Sequence, residues 1–87
     1  MIEPIYCGID MLATGANIAQ LRKARGLTIR DIQHYMGFEE PRSIYKWERG
    51  ETTPTLEHLK TLSQVLGVKM DDILIWSHPP PWRRIEM

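Results

Sequence analysis

The sequence has few of the features that mark secreted or membrane proteins. Cys7 is its single cysteine among 87 residues, so no internal disulfide forms and nothing argues for secretion. We therefore expect a free thiol in a reducing cytoplasm. The longest apolar runs, such as residues 73–76, are far shorter than the roughly 18 residues that cross a bilayer. No basic segment opens the chain, so neither a signal peptide nor a membrane partner is expected.

The sequence also lacks the patterns of a catalytic or metal site. No Ser/His/Asp set, P-loop or dinucleotide fingerprint is present. The three histidines have no metal-ligand spacing with the cysteine or with one another; they are His34, His58 and His78. We therefore expect a protein that is not an enzyme and needs neither cofactor nor metal.

The net charge is zero, with 11 basic and 11 acidic residues. This balance counts modestly against nucleic acid as a partner, because DNA-binding proteins usually carry a basic excess. The charges are unevenly spread, however: residues 17–50 hold seven bases and four acids, whereas residues 51–75 hold two bases and four acids. We therefore expect one basic side and one acidic side.

Residues 28–50 carry the pattern of two short amphipathic helices joined by a tight turn. Thr28 and Asp31 have capping-box spacing, in which each side chain reaches a backbone N–H of the first turn. Gly37 is placed to end the first helix, Pro41 suits the first turn of the second, and Gly50 ends it. The inward apolar positions are Ile29, Ile32, Met36, Ile44 and Trp47. This arrangement predicts a helix-turn-helix.

Three further helices are expected around this unit. Thr14 is placed to cap a first helix that ends before Gly26, and Thr55 to cap a fourth that Gly67 ends. Residues 68–75 carry a short fifth helix. The expected inward positions are Ile18, Leu21, Ala24, Leu56, Leu59, Leu62 and Leu66. Five short helices with short loops predict a compact all-α domain.

The chain therefore divides into an irregular N-terminal arm over residues 1–13, a helical domain over residues 14–76 and a flexible Pro-rich tail over residues 77–87. The arm is expected to pack on the domain, to pair with a second subunit or to fray. The three prolines of the tail forbid a helix. Its tryptophan and two arginines suit either docking to a partner or phosphate, or intermittent contact with the domain surface.

Several spaced motifs together resemble the Cro-repressor (Xre-like) class of helix-turn-helix DNA-binding proteins, and most closely its small single-domain bacterial or phage regulators. They span about residues 15–75 and read LRxxRGLT, Gly37, IxxWExG, Pro54, LxxLxxxLGV and DDIL. The resemblance implies a compact five-helix lambda-repressor-like domain. It also implies that the third helix, roughly residues 40–49, recognises double-stranded DNA.

The resemblance further implies which residues bind DNA. The base contacts it implies are Arg42, Ser43, Tyr45 and Lys46. These side chains suit that role, because arginine can bond guanine O6 and N7 together and a tyrosine ring can cover a thymine methyl. The phosphate contacts it implies are the backbone N–H groups of Thr28 and Ile29 and the side chains of Arg49, Thr52 and Thr53.

The same family pairs an arginine of the first helix with a glutamate of the third, which here implies a structural ion pair between Arg22 and Glu48. Two features depart from the family pattern. Gln33 stands where a small alanine is usual, and the turn between the second and third helices is one residue longer. Glu39 and Glu40 also place negative charge near the end of the third helix that faces the groove.

Two functions remain open. The first is a sequence-specific DNA-binding transcriptional regulator, preferably a repressor, that acts as a homodimer on a two-fold operator with half-sites about 34 Å apart. Its subunit contacts would use the residues after the fifth helix together with the arm. The alternative is a protein-interaction or antitoxin-like helix-turn-helix module, which the zero net charge favours slightly.

Overall fold

The computed structural model describes residues 8–77 and arranges them as five helices. These are α1 (Met11–Ala24), α2 (Ile29–Met36), α3 (Arg42–Glu48), α4 (Leu56–Leu66) and α5 (Met70–Ile73). Within residues 8–77, β-structure is limited to an antiparallel bridge between Ile9 and Trp76, so the predicted all-α, five-helix class is confirmed. None of the helices in that range is long and apolar enough to cross a membrane. Cys7 and the Pro-rich tail beyond Ser77 lie outside the described residues.

The predicted ends of α2 and α4 are confirmed. Asp31 N–H donates to Thr28 Oγ1 at 3.1 Å, and Thr28 N–H donates to Asp31 Oδ2 at 2.8 Å, which completes the capping box. Gly37 closes α2 with φ of 73°, a left-handed conformation that glycine adopts without a Cβ clash. Helix α4 likewise begins after the cap Thr55 and ends at Gly67.

The predicted start of α1 at Thr14 is wrong, because the helix begins three residues earlier. Asp10 is the N-cap, and its carboxylate accepts the N–H of Ala13 at 2.9 Å. Thr14 lies inside the helix, is 1% exposed, and accepts the N–H of Ile75 through its hydroxyl at 2.9 Å. The last three residues assigned to the arm are therefore helical. Helix α5 is also shorter than the predicted residues 68–75.

One core lies between the helices. Its buried apolar side chains are Ile18, Ile32, Ile44, Trp47, Leu59, Leu62, Leu66 and Ile73. Two predicted inward positions are wrong. Ala24 is exposed at the last position of α1, and Leu56 is 74% exposed in the first turn of α4, where residues 55–57 all face solvent. The inner stripe of α4 is completed instead by Ser63, which is 5% exposed.

Candidate nucleic-acid interface

Helix α3 has one face in the core and one face in solvent. Ile44 and Trp47 are 1% and 4% exposed, and the Phe38 ring meets the Trp47 ring at a centroid distance of 5.8 Å. The opposite face carries the residues assigned to base contacts. Arg42, Ser43 and Tyr45 are exposed there, and Lys46 is partly exposed. The buried face thus fixes the helix while the polar side chains remain accessible.

Three shallow hollows form a continuous surface beside α3. The first, about 240 Å³, is lined by Arg30, Gln33, His34 and Phe38. The second, about 280 Å³, is lined by Phe38, Glu39, Glu40, Arg42 and Ser43. The third, about 350 Å³, is lined by Glu40, Pro41, Arg42, Tyr45 and Arg49. Because neighbouring hollows share residues, we treat them as one surface and call it the α3 groove.

Two exposed arginines of the α3 groove, Arg42 and Arg49, each have a carboxylate near them. Arg42 Nη2 lies 3.9 Å from Glu40 Oε2, and Arg49 Nε lies 2.5 Å from Glu51 Oε2. All four side chains are about half exposed or more. Ion pairs this exposed contribute only about 0–1 kcal/mol. A phosphate or a guanine edge can therefore replace either carboxylate at little cost.

The residues assigned to phosphate contacts lie at two ends of the helix-turn-helix unit. Thr28 and Ile29 open α2, whereas Arg49, Thr52 and Thr53 follow α3 and are exposed. The structure modifies the expectation for Thr28, because its N–H already donates to the Asp31 carboxylate. The N–H of Ile29 is the first of the helix and has no intrahelical acceptor.

Electrostatics at the start of α2 follow from the same capping box. The hydrogen bonds from the Thr28 backbone and side chain, with the nearby His34 as a smaller cause, hold the pKa of Asp31 below its ordinary value of 3.8. The carboxylate therefore stays charged at neutral pH beside the N–H groups assigned to phosphate. Any phosphate that binds there approaches Ile29 past this negative charge.

Arg22 and Glu48 form the ion pair that the resemblance implies. Arg22 Nε donates to Glu48 Oε2 at 2.8 Å, and a second guanidinium N–H donates to Oε1 at 3.2 Å. A third guanidinium N–H donates to the carbonyl of Leu27 at 2.9 Å. The two side chains are only 12% and 13% exposed. The pair therefore joins α1 to the C-terminal end of α3 and lies apart from the α3 groove.

Two residues that contact α3 or the turn before it have no assigned role in the sequence interpretation. A Cβ on Gly15 would lie 2.3 Å from the carbonyl oxygen of Trp47, so α1 and α3 are in backbone contact there. The Gln33 side-chain amide donates to the carbonyls of Phe38 and Glu39 at 3.3 and 3.1 Å. A glycine inside a helical pattern was a signal for the first. For Gln33, the only signal in the sequence was its departure from the alanine that is usual in the family.

Comparisons with known proteins agree with this geometry. The family profile described as helix-turn-helix matches residues 18–73. A relative from Sinorhizobium fredii (strain NBRC 101917 / NGR234), an uncharacterized HTH-type transcriptional regulator called y4dJ, is 32% identical over 68 residues. These residues make up 78% of this chain and 87% of the relative.

Solved structures show the same fold. The restriction-modification controller protein C.AhdI from Aeromonas hydrophila matches with a TM-score of 0.67 and 22% identity, over 74% of this chain and 96% of that one. The master regulator for biofilm formation SinR, solved in complex with DNA, matches with a TM-score of 0.63 and 26% identity, over 69% and 95% of the two chains. This chain therefore belongs to the Cro-repressor (Xre-like) class of the helix-turn-helix family.

Proposed function

We propose that this protein is a transcriptional regulator, not an enzyme, that binds specific sequences of duplex DNA by placing α3 in the major groove. The observation that carries the proposal is the two-faced packing of α3, with its apolar side buried and its arginine, tyrosine and lysine side chains directed to solvent. A major groove about 12 Å wide admits one helix in this orientation. Membership of the helix-turn-helix family and the likeness to SinR, which was solved in complex with DNA, support the same conclusion.

Base reading falls to the N-terminal half and centre of α3. Arg42 is 73% exposed in its side chain and supplies the forked donor that suits guanine O6 and N7. Lys46 supplies a second cation, Tyr45 an aromatic surface for a thymine methyl, and Ser43 a small donor and acceptor. Arg49, Thr52, Thr53 and the start of α2 at Thr28 and Ile29 contact phosphates and fix the docking register.

We further propose a cytoplasmic repressor that binds a two-fold operator as a homodimer. One helix reads only a few base pairs, and a dimer doubles the site by presenting two helices about 34 Å apart. The region around the bridge between Ile9 and Trp76 is suited to the subunit contact, because Ile9 and Met11 are each 39% exposed there. Leu74, Ile75 and Trp76 lie in the opposing segment of the chain.

The alternative is a protein-interaction or antitoxin-like module. The exposed Glu39 and Glu40 favour it, because both lie in the α3 groove beside Arg42 and lower its positive charge. An acidic edge of this kind disfavours phosphate and suits a mixed-charge protein surface.

A DNA-binding titration separates the two functions. Duplexes are first selected from a random pool with the whole chain, and affinity is then measured at two salt concentrations. DNA binding requires affinity to fall steeply with salt, with a log–log slope of about −0.9 for each phosphate neutralised. Failure to select any sequence, or binding that does not respond to salt, would favour the protein-interaction module.

Two substitutions in the same assay test the assigned roles. Arg42→Ala should relax base preference at one position, whereas Arg49→Ala should weaken all sequences alike and reduce the salt slope by about 1. Lys60→Ala is the matched control, since it removes one exposed positive charge from α4. An equal effect of all three would contradict the assignment.

A further inference from the structure

The turn between α2 and α3 is held by the side chain of Gln33. This residue lies in the last turns of α2, and its amide group reaches forward to the carbonyls of Phe38 and Glu39. The Phe38 N–H donates back to the Gln33 carbonyl at 3.1 Å. The peptide groups on both sides of Phe38 are therefore tied to the same residue of α2.

Helix α3 has little else to fix its first residue. Pro41 occupies the N-cap position, and no side chain caps the helix there. Serine, threonine, aspartate and asparagine are preferred at this position, because their side chains accept a first-turn N–H. Here the Glu39 carbonyl held by Gln33 lies only three residues before Arg42. The amide contact satisfies no first-turn N–H of α3, but it fixes, from the preceding helix, the backbone that leads into α3.

The position of this contact also links it to the α3 groove. Gln33 lines the first hollow with Phe38, and Phe38 lines the second with Arg42 and Ser43. The Phe38 ring is fixed on its other side by His58, at a centroid distance of 4.9 Å. The Gln33 contact therefore lies on the backbone that leads directly into Arg42 and Ser43.

We propose that Gln33 is a positioning residue for DNA sequence reading, which makes no base contact itself but fixes the turn that aims Arg42 and Ser43. The inference rests on the proposed DNA-binding function. It also gives one explanation for both departures from the family pattern, the glutamine at position 33 and the longer turn. The additional turn residue leaves carbonyl groups that a side-chain amide at position 33 can satisfy. An alanine has no group that reaches them.

The test compares Gln33→Met, which keeps the side-chain length but has no N–H donor, with Gln33→Glu, which places a carboxylate against the two carbonyls. Gln64→Met and Gln64→Glu are the controls, on an exposed position of α4. The probes are a duplex selected by the wild-type chain and a scrambled duplex of equal composition. The measured quantity is the ratio of their dissociation constants, because uniform changes of charge or folded fraction cancel in it.

We expect the ratio to fall by roughly 5- to 150-fold in both Gln33 variants, the range of one bidentate base contact, and to stay unchanged in the Gln64 variants. Equal weakening of both duplexes, with the ratio intact, would overturn the inference and leave DNA binding standing. So would loss of the folded state in both Gln33 variants, which would make the residue one of stability alone. If the wild-type chain selects no duplex, the proposed function falls, and this inference with it.

Discussion

The guanidinium of Arg22 connects α1 with α3 and with the segment before α2. Its N–H groups reach two oxygens of Glu48 on α3 and the Leu27 carbonyl before α2. Because both side chains are nearly buried, the charge left after removal of one partner is poorly hydrated. Breaking such a pair from one side costs about 3–5 kcal/mol. This is a large share of the roughly 5–15 kcal/mol that stabilises a domain.

We therefore predict that Glu48→Ala lowers the melting temperature far more than Arg42→Ala. At about 4–8 °C per kcal/mol for a chain of this size, the first substitution should cost on the order of 12–40 °C. Arg42→Ala removes an exposed side chain and should change stability by less than about 0.5 kcal/mol. Thermal unfolding followed by circular dichroism measures both. Glu48→Gln, which keeps an acceptor for Arg22, should fall between them, and equal shifts for the two alanine variants would refute the structural role of the pair.

Asp31 makes stability depend on pH at the start of α2. Its pKa is lowered in the folded chain, chiefly by the hydrogen bond from the Thr28 backbone, so folding favours the charged form. The stabilisation is therefore present above the ordinary pKa of 3.8 and is lost as pH falls through the lower folded value. Asp31→Asn should lower the melting temperature at pH 7 and lower it less at about pH 3, where the carboxylate is partly protonated in the unfolded chain. An equal deficit at both pH values would contradict this assignment.

For the helices, ends that depend on nearby residues were predictable from the sequence, whereas hydrogen bonds between residues far apart in the chain were not. The cap at Thr28 and the stop at Gly37 follow from residues three to nine positions apart. Thr14 was also predicted to be a helix cap, yet its hydroxyl accepts the N–H of Ile75, 61 positions away. No local pattern reveals such a partner. The exposed positions of α3 were predictable because Ile44 and Trp47 mark its buried face, whereas the Gln33 contact depends on how the turn folds.

Gly15 sets the distance between α1 and α3. A side-chain carbon at this position would lie 2.3 Å from the Trp47 oxygen and 2.7 Å from the Glu48 oxygen, closer than such atoms approach in proteins. Both oxygens belong to the backbone and cannot rotate away. The absence of a side chain thus allows the contact that also brings Arg22 within reach of Glu48.

Gly15→Ala should consequently destabilise the protein, although alanine is favoured over glycine by about 1 kcal/mol inside a helix. Forcing an extra carbon into a packed contact costs typically about 1–3 kcal/mol. Ala16→Gly, at the exposed neighbouring position, is the reverse exchange without the contact and should cost only about 1 kcal/mol. Urea unfolding gives both values. In the Gly15→Ala, Glu48→Ala double variant the losses should be less than additive, since both changes weaken the same helix contact. A more stable Gly15→Ala variant would rule out this account.

For the molecule as a whole, the two ends of the described chain are joined beside α1. Asp10 N–H donates to the Ile75 carbonyl, and Ser77 N–H donates to the Gly8 carbonyl, each at 2.8 Å. The Asn17 side chain adds bonds to the last carbonyls of α5 at 2.7 and 3.0 Å. These contacts close the chain into one unit and hold the segment after α5, which carries the residues proposed for the subunit contact. These contacts join residues that are far apart in the sequence, which explains why the N-terminal segment was predicted to be an irregular arm.

Thr14 is the buried residue among these contacts, so Thr14→Val should weaken the link between the two ends of the described chain. Valine keeps the shape of the side chain but removes the acceptor for the Ile75 N–H, and an unpaired buried N–H costs about 1–3 kcal/mol. Amide hydrogen exchange should therefore accelerate at Ile75, and dimerisation of the variant should weaken if that segment forms the subunit contact. Thr61→Val is the control, since Thr61 bonds the Glu57 carbonyl within its own exposed helical turn. Unchanged exchange at Ile75 would show that the bond to Thr14 does not hold the two ends together.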